Sequence, residues 1–93
     1  MFAYKVKHIP SGLYWKGGGV PSHRVYDLKK ADPKNIETKV LKMKFSKIGK
    51  VWGQANHVST ALLFAKSDKY IKDILDQCEV EKYELVLVPE KAK

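Results

Sequence analysis

A chain of 93 residues, 44% apolar, with two Trp, five Tyr and three Phe, has material for one hydrophobic core and excludes a second. Its single cysteine, Cys78, excludes an internal disulfide and fits a reducing compartment. The net charge of +8 is concentrated. Residues 29–50 hold eight lysines against Asp32 and Glu37, whereas residues 66–93 hold six lysines and seven acids. Such a field has a direction and favours polyanionic partners.

The opening MFAYKVKHIP lacks the apolar stretch and small-residue cleavage site of a signal peptide. No run approaches the roughly 18 apolar residues of a membrane span. The expectation is a soluble intracellular protein with one domain over residues 1–93.

Along the chain, Phe2, Tyr4 and Val6 alternate with Ala3, Lys5 and Lys7, a half-buried strand by period. Pro10-Ser11-Gly12 supplies a turn, and Leu13–Lys16 returns as the second strand of a hairpin. Residues 17–22, Gly17-Gly18-Gly19 through Pro21 and Ser22, read as a flexible loop. Arg24–Leu28 reads as a short third strand, and residues 29–38 as a basic connector with a turn at Asp32-Pro33. Leu41, Met43 and Phe45 alternate with Lys42, Lys44 and Ser46, which predicts an amphipathic strand. Lys50-Val51-Trp52 pairs with it in this reading, so that Lys42, Lys44, Lys47 and Lys50 line one region of the sheet.

Asn56 is a candidate N-cap for a helix carrying Val58, Ala61, Leu62 and Ala65 on one stripe. Ser67 is a second candidate cap, before Ile71, Ile74, Leu75 and Cys78. Val80–Val88 reads as a closing strand, apolar on both faces at its end and therefore interior, with residues 89–93 a frayed tail. The expected class is α+β: a small two-layer sandwich, mostly antiparallel, of four to five strands. One or two helices cover one face, in the order ββ(β)ββααβ.

No motif names a reaction. The glycine run is not followed by the Lys-Ser/Thr and helix of a phosphate-binding P-loop. His8, His23, His57 and Cys78 have spacings that match no zinc pattern. His8, at a strand end, is expected to be exposed. Cys78 sits on a helical apolar stripe in this reading, with Asp76, Glu79 and Glu81 nearby to raise its pKa, so it is no nucleophile. No paired carboxylates stand at the spacing of acid–base catalysis. The expectation is a non-enzyme without metal or cofactor.

The candidate binding residues are therefore Lys29, Lys30, Lys39, Lys42, Lys44, Lys47, Lys50, Arg24, Tyr14 and Trp15. Lysines meet phosphates while an aromatic stacks on bases, as in single-strand binders. In a strand only one of Tyr14 and Trp15 faces inward, so the other is exposed, and Trp52 is assigned to the core. A single arginine argues against base-specific readout, which leans on bidentate guanidinium contacts. The expected partner is nucleic acid, single-stranded or duplex. The alternative is an acidic host protein, with Tyr14, Trp15 or Tyr26 as anchor and the chain acting as inhibitor or adaptor. Neither a membrane nor a small-molecule substrate is expected.

Three blocks, YKVKHIPSGLYWKGGG, KFSKIGKVWGQANHVSTALL and KYELVLV, together resemble small tailed-bacteriophage accessory proteins. Those have an N-terminal hairpin with a Gly-Leu-Tyr core, a short Gly-Lys-Val-aromatic strand, a helix, and a final strand rich in Glu and Val. The resemblance covers about half the chain and no counterpart of residues 29–44. It implies an accessory protein made in the host cytoplasm that binds a host enzyme or nucleic acid. It carries over no catalytic residue.

Overall fold

A computed structural model describes residues 1–84. The expectations for residues 85–88 of the last strand and for the 89–93 tail lie outside the described residues. The elements are β1 (Phe2–His8), β2 (Tyr14–Trp15), α1 (Ser22–Lys30), α2 (Pro33–Lys44), β3 (Phe45–Ser46), α3 (Ala55–Ala65), α4 (Lys72–Leu75) and β4 (Cys78–Glu84). The strands form one antiparallel sheet in the order β3-β2-β1-β4. The class is α+β, with four helices among the described residues where the sequence predicts one or two.

β1 is the expected strand, but its alternation fails at the start, where Phe2 is exposed and Ala3 buried. Val6 and His8 face the core, and Lys5 and Lys7 lie on the opposite face. β4 pairs with β1 along its length, from Phe2 opposite Glu84 to His8 opposite Cys78. This puts Lys5 opposite Glu81 and Lys7 opposite Glu79, two cross-strand pairs of opposite charge. β4 closes one end of the described sheet order and is not interior to it; the apolar pattern that suggested otherwise lies beyond Glu84.

The middle of the chain differs from the sequence reading. Arg24–Leu28 is helical, because Val25 and Leu28 stand at i and i+3 and share the core-facing side; Leu28 is wholly buried. Residues 29–38 are no connector. Lys29 and Lys30 finish α1, and residues 33–38 form the first half of α2. The Asp32-Pro33 pair is a helix start: the Asp32 carboxylate accepts from the Lys34 amide at 3.0 Å, and Pro33 occupies the first helical turn. The alternation at 41–45 belongs to the end of this helix. Ile36, Val40 and Met43 follow helical spacing, with Val40 fully buried, and only Phe45 and Ser46 are extended.

Two further placements change with it. Lys50–Trp52 does not pair with β3. Trp52 instead makes an isolated bridge to Tyr4, with N···O distances of 2.8 and 2.9 Å. Lys42, Lys44, Lys47 and Lys50 therefore share no sheet region. α3 starts after Gln54 without a side-chain cap, and Asn56 lies exposed in its first turn. Its expected stripe is correct: Val58 and Ala65 are buried, and Ala61 and Leu62 pack against them. Ser67 caps nothing, since its hydroxyl donates back to the Phe64 carbonyl. The anchor there is Asp68, whose carboxylate accepts from the amides of Val20 and Tyr70.

The core runs from Val6, Trp15 and Phe45 on the sheet to Leu28, Val40, Val58, Ile71, Ile74 and Leu75 on or beside the helices. Trp15 and Trp52 stack at 5.4 Å between centroids, a contact worth about 0.5–1.5 kcal/mol beyond the area buried. His8 corrects its expected exposure. It is buried edge-on against Phe45, and its ring nitrogens meet Ser11 Oγ at 2.7 Å and Gln77 Oε1 at 3.3 Å. Cys78 opens β4 and is not on the preceding helix.

The turn after β3 crosses β2 closely. Gly49 has φ of 68°, and a Cβ there would lie 2.9 Å from the Trp15 carbonyl oxygen and would also collide with Tyr14 Cβ. Both backbone strain and overlap oppose any side chain. Gly49→Ala is expected to lower unfolding free energy by about 2–4 kcal/mol. Gly53→Ala, with open space around it, should stay within about 0.5 kcal/mol. Urea denaturation of the two variants checks the contrast, and equal stabilities would refute the close crossing.

Candidate nucleic-acid interface

The folded chain sorts the ten candidate residues into groups that linear order does not show. α1 and α2 meet at the turn Ala31-Asp32 and leave an open groove of about 500 Å³ between them. Leu28, Ala31 and Met43 contribute apolar lining, and Arg24, Lys30, Lys39 and Lys42 surround it. Four cations thus face one carboxylate, Asp27, which lies 3.8 Å from Arg24 Nε in an exposed pair. Exposed pairs of this kind are weak, so the groove keeps most of its positive potential.

Helical geometry explains the convergence. Lys39 and Lys42 are three residues apart on α2 and share a face. Their face is set by the burial of Val40 and the inward packing of Ile36 and Met43. Arg24 and Lys30 are brought opposite because Leu28 anchors α1. Beside them Tyr26 is 61% exposed, with Lys30 Nζ 4.1 Å from its ring centroid. The exposed aromatic next to the cations is therefore Tyr26, and not Trp15. Reading residues 24–30 as a helix would have put Tyr26 and Lys30 together at i, i+4.

The remaining candidates lie elsewhere. Lys29 is exposed at the end of α1, and Lys47 is exposed on the bend after β3. Lys44 is half-buried at the end of α2, and Lys50 lies with its Nζ 5.2 Å from the Trp52 ring centroid. Trp15 is fully buried, its indole N–H donating to the Gly18 carbonyl at 3.0 Å, and cannot stack on a base. This corrects its assignment as a binding residue.

Tyr14 is the outward member of the pair, but its role is on the sheet. Its hydroxyl donates to Glu81 Oε1 at 2.8 Å, the Tyr83 hydroxyl donates to the same oxygen, and Lys5 Nζ lies 4.4 Å from the Tyr14 ring centroid. The Tyr83 hydrogen bond, then that of Tyr14, holds the Glu81 carboxyl below its ordinary value, with Lys7 and Lys5 adding to the effect. The same hydrogen bond pushes the Tyr83 phenol upward.

Burial pushes the Cys78 thiol up to about 11, against a smaller opposing pull from Lys66, and Sγ donates to the Ile74 carbonyl. Desolvation, rather than the acids flanking it in sequence, is the cause. A thiol in this state is a poor nucleophile near neutral pH. Among the described residues, no three His, Cys, Asp or Glu side chains gather as a metal site, and no helix is long and apolar enough to cross a membrane.

No family model matches the chain, and neither a curated protein nor a solved structure does.

The outer-face cluster gives a pH prediction. A carboxyl that titrates lower when folded adds stability at pH above its unfolded value, near 4.5, and loses it as pH falls through the folded value. Carbon-detected NMR titration should give Glu81 a midpoint below 4.5, and Tyr83→Phe should move it upward more than Tyr14→Phe does. An unchanged midpoint in both variants would refute the shared hydrogen bonds.

Proposed function

We propose that this chain is a non-enzymatic accessory protein that binds the phosphate backbone of nucleic acid along the α1–α2 groove. The observation that carries the reading is the convergence of Arg24, Lys30, Lys39 and Lys42 on one groove with a single carboxylate among them. Three of the four are lysines, which act on phosphates as point charges and read little sequence. Tyr26 supplies an exposed ring against Lys30, suited to stacking on an unpaired base. The resemblance of three sequence blocks to phage accessory proteins supports a host-cytoplasm setting.

A second reading keeps the groove and changes the partner. Lys30 already lies over one face of Tyr26, and that arrangement favours docking on an acidic protein, where a cation–π pair is buried as a unit. On nucleic acid the ring has to share itself between Lys30 and a base.

The salt dependence of binding separates the two. Four phosphate contacts imply a slope of log K against log salt of roughly −3 to −4 on duplex and about −3 on single strand. Lys39→Glu combined with Lys42→Glu should abolish binding to both while leaving the melting temperature within a few degrees, because both side chains are exposed. Fluorescence anisotropy with labelled single strand and duplex checks this. A double variant that binds as before would sink the groove reading. Nucleic-acid binding seen only at very low salt, with an acidic protein bound at physiological salt, would favour the second.

A further inference from the structure

A second cationic cluster lies at the glycine-rich loop, built from residues far apart in sequence. Lys16 follows β2, Lys44 ends α2 and Lys50 precedes the Trp52 bridge. The Lys16 amide donates to the Lys44 carbonyl at 2.8 Å, and the Lys50 amide donates to the Trp15 carbonyl at 2.9 Å, so the three backbones are tied together. The side chains of Lys44 and Lys50 flank the loop. Lys44 Nζ is 3.7 Å from where a Cβ on Gly18 would sit, and Lys50 Cδ is 3.3 Å from where one on Gly17 would sit. Among the described residues, no carboxylate comes within 4.0 Å of any of the three ammonium groups.

The loop itself is pinned. The Gly18 carbonyl turns inward to accept from the Trp15 indole, and the Val20 amide donates to Asp68 at 2.8 Å. Gly17 and Gly18 both hold left-handed backbones, at φ of 89° and 72°. The amides of Gly17, Gly18 and Gly19 donate to no protein acceptor among the described residues. Successive free amides in a glycine turn form an anion-binding concavity. Burial, and then the Lys16 charge, lower the Lys44 pKa, and an anion between the two would offset both effects.

We propose that Lys16, Lys44 and Lys50, with the amides of Gly17 and Gly18, form a discrete site for a phosphate dianion. Gly19 is outside it, because the Asp68 carboxylate lies 2.7 Å from where a Cβ on Gly19 would sit. Either the terminal phosphate of a nucleic-acid strand or a phosphorylated small molecule supplies that group. The site is separate from the α1–α2 groove and does not depend on a polymer binding there. It also differs from a P-loop, which draws its lysine from the same turn. Here the lysines arrive from three segments.

The test is an amide NMR titration of the full chain with inorganic phosphate at pH 8, against sodium chloride at matched ionic strength. The Gly17 and Gly18 resonances should shift saturably with phosphate and not with chloride. Lys44→Gln should weaken the effect by about tenfold or more, as loss of a charge-assisted contact does. Its fold should survive, because it removes a partly desolvated charge beside Lys16. Lys50→Gln, whose side chain is exposed, provides the same readout independently. The Lys39→Gln/Lys42→Gln pair should leave the phosphate affinity unchanged.

Octathymidylate with a 5′-phosphate or a 5′-hydroxyl, and glucose 6-phosphate, then identify the source. A response that requires the 5′-phosphate assigns the site to a strand end. Saturation by glucose 6-phosphate with both oligonucleotides inert at these amides assigns it to a small molecule, and loss of groove binding is read separately on Lys39 and Lys42. Linear shifts equal to those in chloride, or unaltered affinity in both Lys44→Gln and Lys50→Gln, would overturn the proposal.

Discussion

The burial of Trp15 is the constraint on which the rest of this small structure depends. A two-residue strand cannot hold itself in a sheet, yet β2 sits between β1 and β3. What holds it is one side chain and its own backbone. The indole stacks on Trp52, its N–H is satisfied by Gly18, and the Trp15 carbonyl accepts from Lys50. An indole N–H buried without an acceptor would cost about 1–3 kcal/mol, so the glycine loop is bound to fold back over the ring. That return forces left-handed backbones at Gly17 and Gly18, and the passage of residues 46–50 over β2 forces another at Gly49. The positions of Lys16, Lys44 and Lys50 around the loop are consequences of burying this one residue.

The first strand and the third helix were legible in the sequence, and residues 24–45 were not, for a physical reason in each case. β1 and the stripe of α3 each offer one period without a rival, so pattern alone assigns them. Residues 36–45 offer two. Leu41, Met43 and Phe45 alternate as a strand does, while Ile36, Val40 and Met43 recur as a helix does. The longer register prevails because Asp32 and Pro33 start a helix upstream. That dipeptide fits a turn as well as a helix start, and it is the local signal that decides between the two periods. His8 misled in a different way. Its burial rests on Ser11 and on Gln77, 69 residues away, and no local pattern announces a distant hydrogen-bond partner. The groove cations were all named from sequence, but their grouping needed the helical assignment of residues 22–44.

The abundance of lysine has a structural component as well as a functional one. Lys29 and Lys30 end α1, and Lys42 and Lys44 end α2, where the partial negative charge of a helix C-terminus favours cations. Each such placement is worth about 0.3–1 kcal/mol at an exposed site. Four lysines thereby have a structural contribution beside any role toward a partner. Lys16, Lys39 and Lys50 are not at helix ends, and neither is Arg24. Lys34 and Lys47 also lie away from helix C-termini and at neither cluster, while Arg24 and Lys39 line the groove and Lys16 and Lys50 adjoin the glycine loop.

That division weakens a reading of the charge as mere solubility. A solubilising lysine needs only water, and any exposed position serves it equally well. Solvation therefore predicts lysines scattered over the surface and interleaved with acids, as they are on β1 and β4, where Lys5 and Lys7 face Glu81 and Glu79. The groove and the glycine loop follow another rule. Like charges are brought together, one lysine is partly desolvated, and carboxylates are sparse at the first. At the second no described carboxylate lies within 4.0 Å of the three ammonium groups, Asp68 meeting the far end of the loop at Gly19 and Val20. Concentrating like charge opposes folding. In a chain whose β1–β4 face is so evenly neutralised, the unneutralised positions have the character of a surface completed by an anion from outside.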